Sequence, residues 1–442
     1  MAGPPGQLQA PVSLRPSHYT SPVPLSDARN PFAALRHRNF RLYFVGQFVS
    51  LVGTWMQVVA LGWLVLELSN SPFTVGLVST LGALPILLFT LWGGVLADRV
   101  DRRRALVLLQ LLMLGDALAL GILTATGRIT VPWVMVLAVL HGTSTAFEVP
   151  IRQAFNADLV GRDELMNVIA LNSSNFNLTR ILGPSLAGLI IGGLGVAPCF
   201  FVNAASFLAV VVNLLRIRMP PRARAIRGES PLTVFREGVR YVAGEREPRR
   251  LLSLTAVYSV FGFSFVTMLP VYARDVLATG AQGYGGLMTA VGAGASLGAL
   301  GMAAIGHRVG RHVVIRIAGL AFGVSLAVAA ATDRWQVAAL ALGLTGGAMI
   351  LNNIATNTQL QTATPDVLRG RVMGFYSLMV LGVAPLGSLQ AGWVSEHWGV
   401  PTSLAIGGLV SALAALLLAR PPVAESRVES LSPGPASRGN PC

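Results

Sequence analysis

Lysine is absent from this 442-residue chain: all 33 basic residues are arginine, which points to a GC-rich coding sequence rather than to a mechanism. Charge of either sign is scarce, at 12% of residues, too little to clothe a soluble protein of this length. Cysteine occurs only at Cys199, inside an apolar run, and at Cys442, which supports neither a disulfide framework nor a metal site. No phosphate-cradling glycine loop, metal-ligand spacing or nucleophile motif is present, so neither an enzyme nor a self-contained ATP-driven pump is expected, and no cofactor. Residues 1–30 are rich in Pro and Ser and have no apolar core. They do not read as a signal peptide, and a disordered cytoplasmic tail is expected there.

What is abundant is hydrophobic residues, 53% of the chain, in continuous runs. A bilayer core takes about 20 apolar residues as helix. Twelve such segments lie at 43–66, 73–97, 105–124, 131–151, 165–191, 198–215, 251–277, 285–305, 313–332, 337–356, 372–393 and 401–419. Lipid admits helices or closed barrels, and a barrel would need short alternating segments, so the expected class is an all-α polytopic membrane protein. The formal net charge of +14 then reads as loop bias rather than nucleic-acid binding. With both termini inside, the outer loops hold only Arg128, Arg274 and Arg334, which predicts a multi-pass membrane protein with both termini cytoplasmic.

Residues 31–215 form the first expected six-helix bundle, opened by a short amphipathic piece ending at Arg36, His37, Arg38 and Arg41. Residues 216–250 form a basic cytoplasmic linker. In it Ser230-Pro231 reads as a helix start, and Phe235, Val239 and Val242 share one face. Residues 251–419 form the second bundle, and 420–442 a second disordered cytoplasmic tail. An internal repeat supports two halves: Gly142–Gly188 can be laid on Gly347–Gly392, helix on helix and loop on loop.

The stretch Gly94-Val-Leu96-Ala-Asp98-Arg99-Val-Asp101-Arg102-Arg103-Arg104 concentrates charge between two apolar runs. It resembles the signature between helices 2 and 3 of the major facilitator superfamily, departing at Asp101, where the family usually has Gly. A worn second copy, Gly306-His307-Arg308-Val-Gly310-Arg311, puts His307 where Asp98 would be. Gly53-Thr-Trp55-Met56-Gln57 and the Gly183-Pro184…Gly188 element of helix 5 resemble bacterial exporters of the enterobactin exporter and macrolide efflux type. The helix 5 element departs at Ser174 and Ala187, and the helix 4 Arg of drug–proton antiporters is replaced by Ala138. The resemblance implies twelve transmembrane helices in two pseudo-symmetric six-helix bundles. It also implies a secondary active transporter, most readily a proton-coupled exporter of hydrophobic or amphipathic small molecules, of drug or siderophore type. The alternatives are a substrate-specific importer or uniporter, and a non-transporting membrane sensor or assembly protein. The expected partners are the lipid bilayer, a small-molecule substrate and protons, with no nucleic acid and a monomeric chain.

Gly94, Asp98, Arg99, Arg102 and Arg103 read as a conformational latch. A carboxylate there can accept from the N-terminal amides of a neighbouring helix, and the resemblance implies helix 11 of the other half. Asp116 lies midway along helix 3, with Arg180 and His141 at similar depth in helices 5 and 4. It either pairs with one of them structurally or carries a proton. Glu148 is a further proton-coupling candidate, against the alternative that it forms a local ion pair with Arg152 one turn away. Trp55, Met56, Gln57, Asn172, Asn175, Tyr258, Phe261, Asn353 and Asn357 are candidate cavity-lining residues, against the alternative that such amides only join helices. Gly183-Pro184 and Pro385 are expected to loosen helices 5 and 11.

Overall fold

A computed structural model describes residues 32–160, 164–217, 231–306 and 308–419. The two expected tails, His307 and the start of the linker lie outside the described residues. Among the described residues, twelve helices are long and apolar enough to cross a membrane. Spans 1–6 are Arg38–Ser69, Pro72–Arg99, Arg102–Ala125, Val131–Leu159, Leu165–Leu194 and Ala197–Arg216. Spans 7–12 are Arg246–Val276, Gly280–Ile305, Arg311–Ala330, Trp335–Ala363, Leu368–Trp398 and Val400–Leu418. Each coincides with one of the apolar segments read from the sequence.

Their ends follow from local chemistry. Span 1 stops at Asn70, which takes the left-handed conformation (φ 50°) that Asn tolerates. Ser71 then caps span 2, accepting from Thr74 N at 3.1 Å with Pro72 in the first turn. Asp101, the residue that departs from the superfamily signature, caps span 3 by accepting from Arg104 N at 3.0 Å. Outward faces carry exposed leucines such as Leu108, Leu189, Leu297, Leu300, Leu340 and Leu344. In water that surface would aggregate, whereas hydrocarbon wets it without penalty.

The packing has an approximate two-fold character. Span 2 packs on span 4 as span 8 packs on span 10, and span 3 on span 6 as span 9 on span 12. The halves meet by exchange, span 5 on span 8 and span 11 on span 2. Gly188 and Gly392, equivalent in the sequence repeat, form these two crossings. A Cβ on Gly285 of span 8 would fall 2.6 Å from Gly188 Cα. A Cβ on Gly76 of span 2 would fall 2.4 Å from the Ser388 carbonyl oxygen and 3.0 Å from Gly392 Cα. Only glycine allows backbones this close.

The contacts between halves gather at one end. Glu396 Oε2 accepts from Ser71 Oγ at 2.9 Å and from Phe73 N at 3.1 Å. Arg274 donates to the Leu66 carbonyl at 3.3 Å, Thr80 Oγ1 to the Pro385 carbonyl at 2.9 Å, and Ser185 Oγ meets Thr289 Oγ1 at 2.8 Å. At the opposite end Asp98 and Arg99 are exposed, and the helix that begins span 11, Asp366–Ser377, packs on its own half and the linker helix. The bundle is therefore closed at the Ser71 end and parted at the Asp98 end.

Span 11 carries a π-helical turn at Leu378–Gly382 just before Pro385, and span 7 carries two, at Tyr258–Gly262 and Tyr272–Val276. Span 5 runs through Pro184 as one helix, because its neighbours on spans 1 and 8 hold it on both sides. The linker helix is Pro231–Gly244. The opening piece is a short 3₁₀ turn, Ala33–Arg36, docked on span 5 by Ala34 N donating to Asn167 Oδ1 at 3.1 Å.

Candidate functional site

A charge midway along a membrane helix must find a partner or water. Asp116 finds His141: its Oδ2 lies 3.2 Å from Nδ1 of the imidazole, with the carboxylate side chain 5% exposed and the imidazole 27%. The contact has ion-pair distance but not hydrogen-bond alignment, and among the described residues neither buried carboxylate oxygen has a hydrogen bond. Of the two partners open from the sequence, the structure selects His141; Arg180 makes no ion pair with Asp116 among the described residues.

Asp116 and His141 stand in the wall of a cavity of about 370 Å³ between spans 1, 2, 3 and 4. Val58, Leu61, Ile86 and Leu137 make it apolar, and Thr54, Gln57, Ser79 and Thr145 are uncharged polar points on these spans. Val266 and Thr267 of span 7 and Tyr284 of span 8 border it from the other half. Gln57 is oriented from behind: its Oε1 accepts from Asn203 Nδ2 of span 6 at 2.7 Å. Such a cavity offers an apolar enclosure, a few fixed polar groups and one titratable pair.

The remaining cavity candidates are dispersed. Met56 is buried in the core. Tyr258 is buried among the rings of Phe263 and Phe322, with centroids at 6.2 and 5.4 Å. Phe261 is half-buried in the π turn of span 7. Asn353 offers its carbonyl to Tyr376 Oη at 3.3 Å, and Asn357 Oδ1 accepts from Gln361 Nε2 at 2.7 Å. Asn172 is half-buried and Asn175 buried on span 5. Of the nine, Gln57 alone lines the cavity. Helical rotation decides this: residues three or four apart share a face, but which face turns inward depends on the neighbours. Trp55 faces span 5, where Gly183 lets that helix come against it; a Cβ on Gly183 would sit 2.4 Å from Trp55 Cβ. Tyr284 and Thr145 belong to no motif read from the sequence, and Thr54 only to the Gly53–Gln57 stretch. The aromatic ring of Tyr284 among the glycines of span 8 was the available signal.

The charged connection is an ordered network within one half. Arg102 donates to Asp158 Oδ2 at 2.7 Å, to Asp98 Oδ1 at 3.2 Å, and to the carbonyls of Ala97 and Ala154 at 2.9 and 3.2 Å. Arg103 caps the end of span 6 by donating to the carbonyls of Leu214 at 2.7 Å and Leu215 at 2.8 Å. Gly94 is half-buried with open space where a Cβ would stand. The expected contact of Asp98 with helix 11 is not made in this state, because the halves are parted there. A cross-half carboxylate on a helix N-terminus does exist at the other end, in Glu396 on span 2. Glu148 and Arg152 pair at 2.9 Å.

Residues 29–437 match a family described as transmembrane secretion effectors. The staphyloferrin A transporter of Staphylococcus aureus is 24% identical over 372 residues, covering 84% of this chain and 92% of that protein. The multidrug efflux pump Tap of Mycolicibacterium fortuitum is 28% identical over 359 residues, covering 79% and 87%. The enterobactin exporter of Shigella flexneri is 25% identical over 366 residues, covering 80% and 86%. Among solved structures, the nucleoside transporter NupG aligns with a TM-score of 0.72 at 15% identity, covering 86% of this chain and 98% of that one. A D-xylose-proton symporter aligns at 0.66 and 13% identity, covering 85% and 97%. These two share the fold.

Proposed function

Since this chain belongs to the transmembrane secretion effector family and has the major facilitator fold, we propose that it is a proton-coupled exporter of hydrophobic or amphipathic small molecules. It works by alternating access in a bacterial cytoplasmic membrane. The Asp98 face and both termini lie on the cytoplasmic side, as the arginine distribution favours. Export is the direction printed for the enterobactin relatives and for the efflux pump. The state described, closed at the Ser71 end and parted at the Asp98 end, is then the one that loads from the cytoplasm.

The observation that carries the coupling is the Asp116–His141 pair in the cavity wall. With one proton between them the pair is neutral. Losing or gaining one leaves a net charge in a low-dielectric wall. Proton exchange is therefore favoured when a gate brings water to the pair. Opening to the outside lets a proton on; opening to the cytoplasm with substrate entering lets it leave. Asp98, freed from Arg102, meets the start of span 11 when the cytoplasmic end closes.

The test is accumulation of a panel of dyes and antibiotics in an efflux-deficient bacterial host, with and without a protonophore. The expected result is lowered accumulation that both the protonophore and Asp116→Asn abolish. Wild-type extrusion by Asp116→Asn would end the assignment of the proton to Asp116.

A further inference from the structure

Arg180 stands at the midpoint of span 5, where an unpaired guanidinium is expensive. Its counterparts are matched: Arg102 has Asp158 and Asp98, Arg152 has Glu148, and His141 has Asp116. Arg180 has no acid and no side-chain hydrogen bond among the described residues. Its one specific contact is the face of Trp55, with the guanidinium carbon 5.9 Å from the ring centroid. A cation–π contact satisfies none of the five N–H donors of the guanidinium.

The surroundings are built rather than incidental. Phe176, one turn before Arg180, meets Trp55 edge-on with centroids 5.7 Å apart. Gly183 brings span 1 against span 5 at Trp55, and Gly292 brings span 8 against the Arg180 backbone. A Cβ on Gly292 would lie 2.7 Å from the Arg180 carbonyl oxygen. The side chain is thus fixed where spans 1 and 5 of one half meet span 8 of the other, and it is half-buried rather than sealed.

We propose that Arg180, with Trp55 and Phe176, forms an anion subsite that takes the carboxylate of a flat, apolar substrate. The proposal deepens the exporter reading and rests on it for the word substrate. Guanidinium matches carboxylate through two parallel N–H donors, and an indole already holding the cation leaves an aromatic edge for the apolar body. Because the subsite touches both halves, its occupancy bears on the span 5–span 8 crossing that must slide when the bundle reopens.

The experiment uses two probes of equal size and opposite charge, 1-naphthoate and 1-naphthylmethylammonium, on the purified full-length protein in detergent. Binding is read by calorimetry. The wild type is expected to bind naphthoate at least tenfold more tightly than the amine. Arg180→Gln removes that preference. Arg180→Lys, which keeps the charge and loses the fork, retains part of it. Trp55→Leu weakens naphthoate and leaves Arg180 in place, which covers the case in which Arg180→Gln does not fold. No naphthoate preference in the wild type overturns the proposal, as does wild-type binding in the Arg180→Lys and Trp55→Leu variants. No gradient is involved, so the export reading stands or falls separately.

Discussion

Asp116 and Glu148 lie at comparable burial in the same half, yet their surroundings ask different things of them. Glu148 accepts from Arg152 Nε at 2.9 Å, an aligned charge-assisted bond. Asp116 faces an imidazole at 3.2 Å and, among the described residues, holds no hydrogen bond on either oxygen. The first is a satisfied pair and the second a poised one. Glu148→Gln should therefore act on stability, lowering it by about 2 kcal/mol, the scale of a hydrogen bond to a charged group. Denaturation in detergent checks this, with export per folded molecule nearly unchanged. Asp116→Asn should do the reverse, since its carboxylate has no hydrogen bond to lose. That Asp116 sits in an apolar run is visible in the sequence. Its partner is not, because His141 and Arg180 lie at similar depth and only the rotation of spans 4 and 5 tells them apart.

At the scale of elements, the two-half architecture was legible because the chain repeats itself. Gly142 lies where its repeat equivalent Gly347 does, against a glycine of the adjacent span: Gly82 for the first, Gly294 for the second. Gly188 and Gly392 were visible as the ends of the repeat, but not as the residues at which the halves touch. That depends on Gly285 and Gly76, which belong to no motif. A side chain at Gly76 has backbone on the far side and nowhere to go. Gly76→Val is thus expected to hold the Ser71 end open without unfolding the half that contains it. Spin labels at the ends of spans 2 and 11 would show the change, as a longer distance distribution than in the wild type. An unaltered distribution would mean that the crossing tolerates a branched side chain and does not seal the bundle.

For the whole molecule, the two ends carry charge–helix contacts of opposite consequence. At the Ser71 end Glu396 sits on the N-terminus of span 2 and Arg274 on the Leu66 carbonyl in the last turn of span 1, each sign matched to the helix dipole it meets in the other half. At the Asp98 end the proposed latch contact is not made, and Asp98 is held only loosely: its side chain is 64% exposed, while Arg102 keeps the better-buried Asp158. A carboxylate ready to leave at one end and one engaged at the other are what the proposed alternating access requires of a bundle open at the Asp98 end. An exposed contact of this kind is worth about 0.3–1 kcal/mol, which shifts a two-state population by roughly two- to fivefold. Glu396→Gln should accordingly raise the outward-open fraction by that factor, and Asp98→Asn should lower it. The readout is labelling of Val65→Cys, a cavity residue near the Ser71 end, in a background without Cys199 and Cys442. A membrane-impermeant thiol reagent applied from outside reaches it only when that end opens. Changes of the same sign in the two variants would show that the two carboxylates do not oppose each other. Changes of opposite sign would place Asp98 and Glu396 on the two sides of one equilibrium.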